Sequence, residues 1–154
     1  MKTRRQVALI LVAATAAACV DKGNRALSQA ISNHDFAAAD EMIRAGKDVN
    51  YSEGGETTLM ILATTNDAEA VRFLLDHKAN VDLADRHGRT ALMYAAWKGQ
   101  VENIRLLVAA DAKLEAFADQ GQTAVSVAKA AKQDEAVAVL LSLGANDVPA
   151  KAMD

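Results

Sequence analysis

The stretch GRTALMYAAWKGQVENIRLLVAADAKLE, Gly88 to Glu115, decides how this chain is read. It holds two apolar runs of helical spacing, Leu92 with Ala95 and Ala96, then Ile104 with Leu107 and Val108, separated by Gly99. A glycine there ends the first helix in a left-handed turn and sends the second back antiparallel. Gly88 permits a tight turn ahead of the first helix, and Thr90 can offer a side-chain oxygen to the free N–H groups at its start. A single hairpin of this kind cannot bury both of its faces. It needs neighbours built the same way.

Those neighbours lie in the same sequence. Gly55, Gly88 and Gly121 are spaced by 33 residues, as are Thr57, Thr90 and Thr123, and Ala79, Ala112 and Ala145. In register, GETTLMILATTNDAEAVRFLLDHKANVD precedes the opening stretch and GQTAVSVAKAAKQDEAVAVLLSLGAND follows it. GNRALSQAISNHDFAAADEMIRAGKDVN aligns at a spacing of 32, because the loop after Asn50 is one residue shorter. The expected architecture is all-α, four helix-turn-helix units at about 23–54, 55–87, 88–120 and 121–148 within a repeat domain of 23–148. Asn66 occupies the place of Gly99 in the second unit, and as the residue next best tolerated with positive φ it is expected to end that helix in the same way. Lys129, Lys132 and Gln133 of the fourth unit stand where inner units are apolar or small, as a solvent-facing end requires.

The segments GETTLMILATTN, GRTALMYAAWKG and GQTAVSVAKAAK resemble the G-x-T-P-L-H-x-A-A-x-x-G opening of the ankyrin repeat family. LLDHKANVD, LLSLGAND and MIRAGKDVN resemble its L-L-x-x-G-A-D-V-N portion, so the resemblance runs from about Gly23 to Val148 and implies an ankyrin-repeat solenoid. The family's proline is replaced by Thr58, Ala91 and Ala124, and its histidine by Ser28, Met60, Met93 and Ser126. The usual Thr–His hydrogen bonding is therefore expected to be lost, leaving softer individual repeats.

The resemblance implies that first helices and projecting turns line a concave surface that commonly binds other proteins. Transferred by register, the candidate protein-binding residues are Glu53, Glu56, Thr64 and Thr65 in the second unit, and Arg86, His87, Arg89, Trp97 and Lys98 in the third. Asp119 and Gln122 complete the set in the fourth unit. Trp97, the only tryptophan, is expected on the concave face rather than between repeats. An aromatic beside Arg86, Arg89 and Lys98 has the composition of an interface hot spot. With Glu53 and Glu56 at the other end, the surface is expected to run from acidic to basic and so to orient a partner. Tyr94 takes a packing position.

Residues 1–20 carry Lys2, Arg4 and Arg5, an uncharged run from Val7 to Ala18, and small residues at the end, the layout of a secretory signal. The expected organisation is a signal peptide at 1–18, a linker at 19–22 and a C-terminal tail at 149–154, with an exported, periplasmic product. Ala18-Cys19 also resembles a bacterial lipobox, with Ala16 where leucine is usual. Cys19 is thus either lipidated, tethering the protein to the outer membrane, or merely the residue after the cleavage point.

The net charge of -3 provides no field for a nucleic-acid backbone, and no nucleic-acid partner is expected. His34, His77 and His87 fall at different register positions, so no metal site, cofactor, catalytic group or small-molecule substrate is expected. The function expected is a binding module of the cell envelope that restrains or regulates a periplasmic protein, in the manner of an immunity protein or regulatory subunit. The alternative is a tethered structural or protective accessory to envelope enzymes, such as those of oxidative defence.

Overall fold

A computed structural model describes residues 24–147; the expected signal segment, Cys19 with its linker, and the 149–154 tail lie outside the described residues. The chain divides into two units, residues 1–49 and 50–154. Among the described residues, no helix is long and apolar enough to cross a membrane.

In the first unit, α1 (residues 24–32) and α2 (Phe36–Arg44) are joined by a tight turn in which His34 takes positive φ, 61°. Asp35 caps α2 by accepting from the Ala38 N–H at 3.1 Å. Asn24 Oδ1 accepts from the Asp48 N–H at 3.1 Å, closing the end of this hairpin onto its start.

The second unit repeats the motif as α3 (Thr58–Ala63) with α4 (Ala68–Asp76), α5 (Ala91–Lys98) with α6 (Val101–Ala109), and α7 (Ala124–Ala130) with α8 (Asp134–Ser142). First helices pack on first helices, α3 on α5 and α5 on α7, while second helices pack on second helices, α4 on α6 and α6 on α8. The result is two helical layers with the core between them. Leu59, Leu62, Val71, Leu74, Leu92, Ile104, Leu107, Val125 and Leu140 are buried there. The alanines Ala63, Ala70, Ala95, Ala96, Ala128 and Ala136 have no exposed surface, which lets neighbouring helices come close. The second unit is a solenoid of helical hairpins in which the only paired strands described are β1 (Ser52–Glu53) and β2 (Glu56–Thr57). They form an antiparallel hairpin across Gly54 and Gly55, whose φ values of 68° and 104° suit a two-residue turn that requires positive φ at both positions.

The 33-residue period reappears in the backbone. After each second helix one residue takes positive φ: Gly46, Lys78, Asp111 and Gly144, at 87°, 62°, 64° and 101°. In the second unit the alanine that follows, Ala79, Ala112 or Ala145, donates its N–H to Leu74, Leu107 or Leu140 at 3.0 Å. These bonds satisfy carbonyls that the helix end would otherwise orphan.

A second periodic element joins one repeat to the next. Asn50 Oδ1 accepts from the Asn80 N–H at 2.7 Å, Asp82 Oδ1 from Lys113 N–H at 2.9 Å, and Glu115 Oε1 from Asn146 N–H at 2.7 Å. Each acceptor ends one repeat and fixes the outer loop of its successor.

Two sequence expectations need correction. Gly99 ends α5 with φ 68°, and Lys132 does the same for α7 at 57°, but Asn66 does not take positive φ. The α3 carbonyls freed there find other donors. Thr65 Oγ1 donates to Leu62 O at 2.7 Å, and the buried Asn103 of α6 directs Nδ2 to Leu62, Ala63 and Thr65 carbonyls at 3.4, 3.3 and 2.7 Å. Nor is the capping bond lost in every repeat. Thr57 N–H meets Met60 Sδ at 3.4 Å and Thr123 N–H donates to Ser126 Oγ at 2.8 Å, each threonine hydroxyl accepting the return bond. Sulfur and hydroxyl here fill the acceptor role of the family histidine. Of Thr57, Thr90 and Thr123, only Thr90 makes no cap, and its Oγ1 is buried without a partner.

Candidate protein-binding face

The helix that carries Trp97 is held more tightly than any other. Every residue of α5 from Ala91 to Ala96 is buried between α3 and α7, and exposure begins abruptly at Trp97 and Lys98 in its last turn. Trp97 keeps 48% of its surface exposed, and its ring carries the Lys98 ammonium 4.0 Å from the centroid, a cation–π contact. The indole is thus presented at the edge of the first-helix layer and is not sealed between repeats.

Beside it, between α5 and α7, runs a groove of about 310 Å³. Met93, Trp97, Val127, Ala130 and Ala131 give it apolar walls, and Arg89, Tyr94, Gln122 and Ser126 give it polar edges. No carboxylate lines it. The volume sits at the small end of ligand clefts, about 300–1,000 Å³, and suits one or two side chains rather than a large ligand.

The Arg89 end of the groove rests on a buried cluster. Asp85 Oδ1 accepts from the N–H groups of His87 at 2.8 Å and Arg89 at 2.9 Å, so that one carboxylate shapes the turn leading to α5. Arg89 Nε and Nη2 donate to Asp85 Oδ2 at 2.8 and 2.7 Å, and the guanidinium lies 5.0 Å from the Tyr94 ring centroid. The Tyr94 hydroxyl lies 2.7 Å from Glu56 Oε1 and 2.8 Å from Asp85 Oδ2; with one proton, it donates to one at a time. Burial raises the Asp85 carboxyl, but hydrogen bonds from the Arg89 backbone, the guanidinium, Tyr94 and His87 outweigh it and hold the group at about 2, below the usual 3.8. Burial first, then the two carboxylates, push the Tyr94 phenol well above its ordinary value. The hydrogen bond to Asp85 raises the Arg89 guanidinium against its own burial.

The cluster reassigns several candidate residues. Glu56 accepts from Tyr94 and Arg89 is paired with Asp85, so two charges of the expected acidic-to-basic gradient are also bonded inside the fold. Thr64 and Thr65 turn their hydroxyls back onto Ile61 O and Leu62 O at 2.7 Å, which makes them helix-end groups. Glu53 pairs by backbone with Glu56 in the β-hairpin. Arg86 lays its stem across Gly55, where an added Cβ would meet its Cγ at 3.0 Å. His87 Nδ1 lies 3.2 Å from Asp119 Oδ2, and the Asp119 N–H donates to His87 O at 2.8 Å, so these two candidates join successive turns to each other. Of the eleven, the groove brings together Arg89, Trp97 and Gln122, with Lys98 over the indole.

Sequence reasoning missed Asp85 and placed Tyr94 only as packing. Tyr94 is indeed buried, at 8% exposure, yet its hydroxyl links two repeats through a partner 38 positions away. The spacing of Asp85 and Arg89, four residues apart around Gly88, was the one local signal. Among the described residues, no group of three or more His, Cys, Asp or Glu could hold a metal ion.

A family model for ankyrin repeats, in three copies, matches residues 27–118, more than half of the chain. The hairpin of α7 and α8 lies beyond that match and keeps the same capping and turn geometry. A comparison with curated proteins gives no match.

Proposed function

The chain belongs to the ankyrin repeat family, and from that premise we propose that it is a non-catalytic, stoichiometric binder that holds or restrains another protein through the first-helix face around Trp97. Ankyrin repeats indicate a protein–protein interaction module and typically form non-enzymatic scaffolds. The observation that carries the finer reading is Trp97 itself: a half-exposed indole at the end of an otherwise buried helix, beside an open groove. Large aromatics supply most of the energy at protein interfaces, and a rigid backing lowers the entropy lost when they are covered. A contact of standard size, about 800 Å² on this side, fits the face of three first helices.

The composition of residues 1–20 supports export, and the partner in this reading is a periplasmic protein regulated in the manner of an immunity protein or a regulatory subunit. Lipid on Cys19 would add a membrane tether without altering the face that binds.

Affinity capture from cell-envelope extracts, with wild type and Trp97→Ala compared, tests the reading. The substitution removes a half-exposed ring and one cation–π contact, so stability should move by about 1 kcal/mol or less. Capture should weaken at least about tenfold, as for a hot-spot residue. A large loss of stability with undiminished capture would instead make Trp97 a packing residue and refute the proposal.

A further inference from the structure

The chemistry of the groove defines what can lie in it, a step that rests on the protein-binding reading and narrows the partner. Its exposed charge is of one sign. Asp85, which compensates Arg89, is turned inward with its side chain 3% exposed, whereas the Arg89 side chain is 40% exposed and lines the groove. A guanidinium has five N–H donors, and two are directed at Asp85, which leaves about three for an incoming acceptor. At the opposite end the walls are Trp97, Ala130 and Ala131, with the Lys98 ammonium lying over the indole ring.

The distance between the two ends follows from helix geometry. Ala91 to Trp97 rises about 9 Å at 1.5 Å per residue, and Arg89 lies beyond the extended N-cap Thr90, so the two ends stand about 9–15 Å apart along the axis. An extended peptide rises about 3.3 Å per residue and puts every second side chain on the same side, so residues four positions apart, about 13 Å, share a face and reach both ends of the groove. We propose that the groove between α5 and α7 seats an extended segment of the partner protein in which a bulky apolar residue stands four positions from an aspartate or glutamate. The apolar side chain packs against Trp97 and Ala130, and the carboxylate takes the outward donors of Arg89. A basic segment meets the guanidinium with like charge and is excluded. Preorganisation favours the acid, because Asp85 and the Tyr94 ring already fix the orientation of Arg89.

Random twelve-residue peptides displayed on phage and selected on the purified full chain test this assignment, with the emission of Trp97, the sole tryptophan, reporting occupancy. Enriched peptides should share an apolar residue four positions from Asp or Glu, should shift the emission, and should bind less tightly as salt is raised. Ala130 is an exposed helical residue of the groove, so it accepts either charge without loss of the fold. Ala130→Glu should weaken the enriched peptides by tenfold or more, and Ala109→Glu, at an exposed position of α6 outside the groove lining, should leave them within threefold. Selection of no peptide, selection of peptides without the carboxylate, or equal responses of the two variants overturns the assignment. The two readings fail separately. An envelope protein captured equally by wild type and Ala130→Glu leaves the binder standing and removes the groove, whereas groove-specific peptides with no captured protein support the groove and remove the restraining function.

Discussion

Replacing Tyr94 by phenylalanine deletes one oxygen and keeps the ring, so the response isolates the bond between the second and third repeats. The hydroxyl stands within hydrogen-bond distance of Glu56 and Asp85, in a side chain only 8% exposed. A buried hydrogen bond to a charged group contributes about 1.5–3 kcal/mol, and since a single proton makes one such bond at a time, the loss should be about 2 kcal/mol. For a chain of this length that lowers Tm by about 4–8 °C. The pH dependence supplies a second reading. Asp85 is held at about 2 in the folded protein against a usual 3.8, so its contribution is present above about pH 4 and is lost as pH falls through 2. Removing one of its donors raises that carboxyl toward 3.8, and the gap between wild type and Tyr94→Phe should therefore be widest near neutral pH and narrow between pH 4 and 2. Urea denaturation at pH 7 and pH 3 measures both. A loss under about 0.5 kcal/mol, or a gap that does not change with pH, would show that the hydroxyl is not a working link to Asp85.

Other outcomes follow from the same geometry. Lys78 is a side-chain-bearing residue at positive φ in a position where two other repeats use glycine, so Lys78→Gly should raise stability by about 0.5–1 kcal/mol; Asp111→Gly should gain less, because aspartate tolerates that conformation better. Both are read from urea midpoints, and a destabilised Lys78→Gly would contradict the assignment of backbone strain. Asn103→Ala withdraws the amide that serves three carbonyls at the end of α3, and should cost about 2–3 kcal/mol and speed amide exchange around Thr64 to Asp67. On the alkaline side the raised Tyr94 phenol contributes stability that is present below pH 10 and is lost as pH rises beyond it. The alkaline slope of Tm against pH should therefore flatten in Tyr94→Phe.

What the sequence could disclose depended on whether a residue acts inside its own repeat or across to the next. The period of Gly55, Gly88 and Gly121 and the apolar spacing within each segment located every described helix, because turn and core demands recur in each hairpin. The Ala79, Ala112 and Ala145 series was visible as a repeat, but its cause, an N–H closing the turn after a second helix, needed coordinates. Asn66 shows where a local rule yields: two carbonyls that a left-handed turn covers in the next repeat, those of Leu62 and Ala63, are served by Asn103, about 40 residues away. The site divides similarly. Trp97 stands out from its register alone, whereas the bonds that occupy Glu56 and Arg89 depend on Tyr94 and Asp85, and no spacing rule links Glu56 to a tyrosine 38 positions on.

The polar contacts that join each outer loop to the repeat before it, through Asn50, Asp82 and Glu115, have a bearing on how such arrays change over generations. Residues 88–120 contain both the amide that receives this contact and the carboxylate that offers the next one. An in-frame duplication or deletion of one whole period leaves every such junction complete, as an insertion of partial length would not. Copy number is thus a heritable variable separable from side-chain chemistry, and the reach of the binding face can lengthen or shorten by recombination alone.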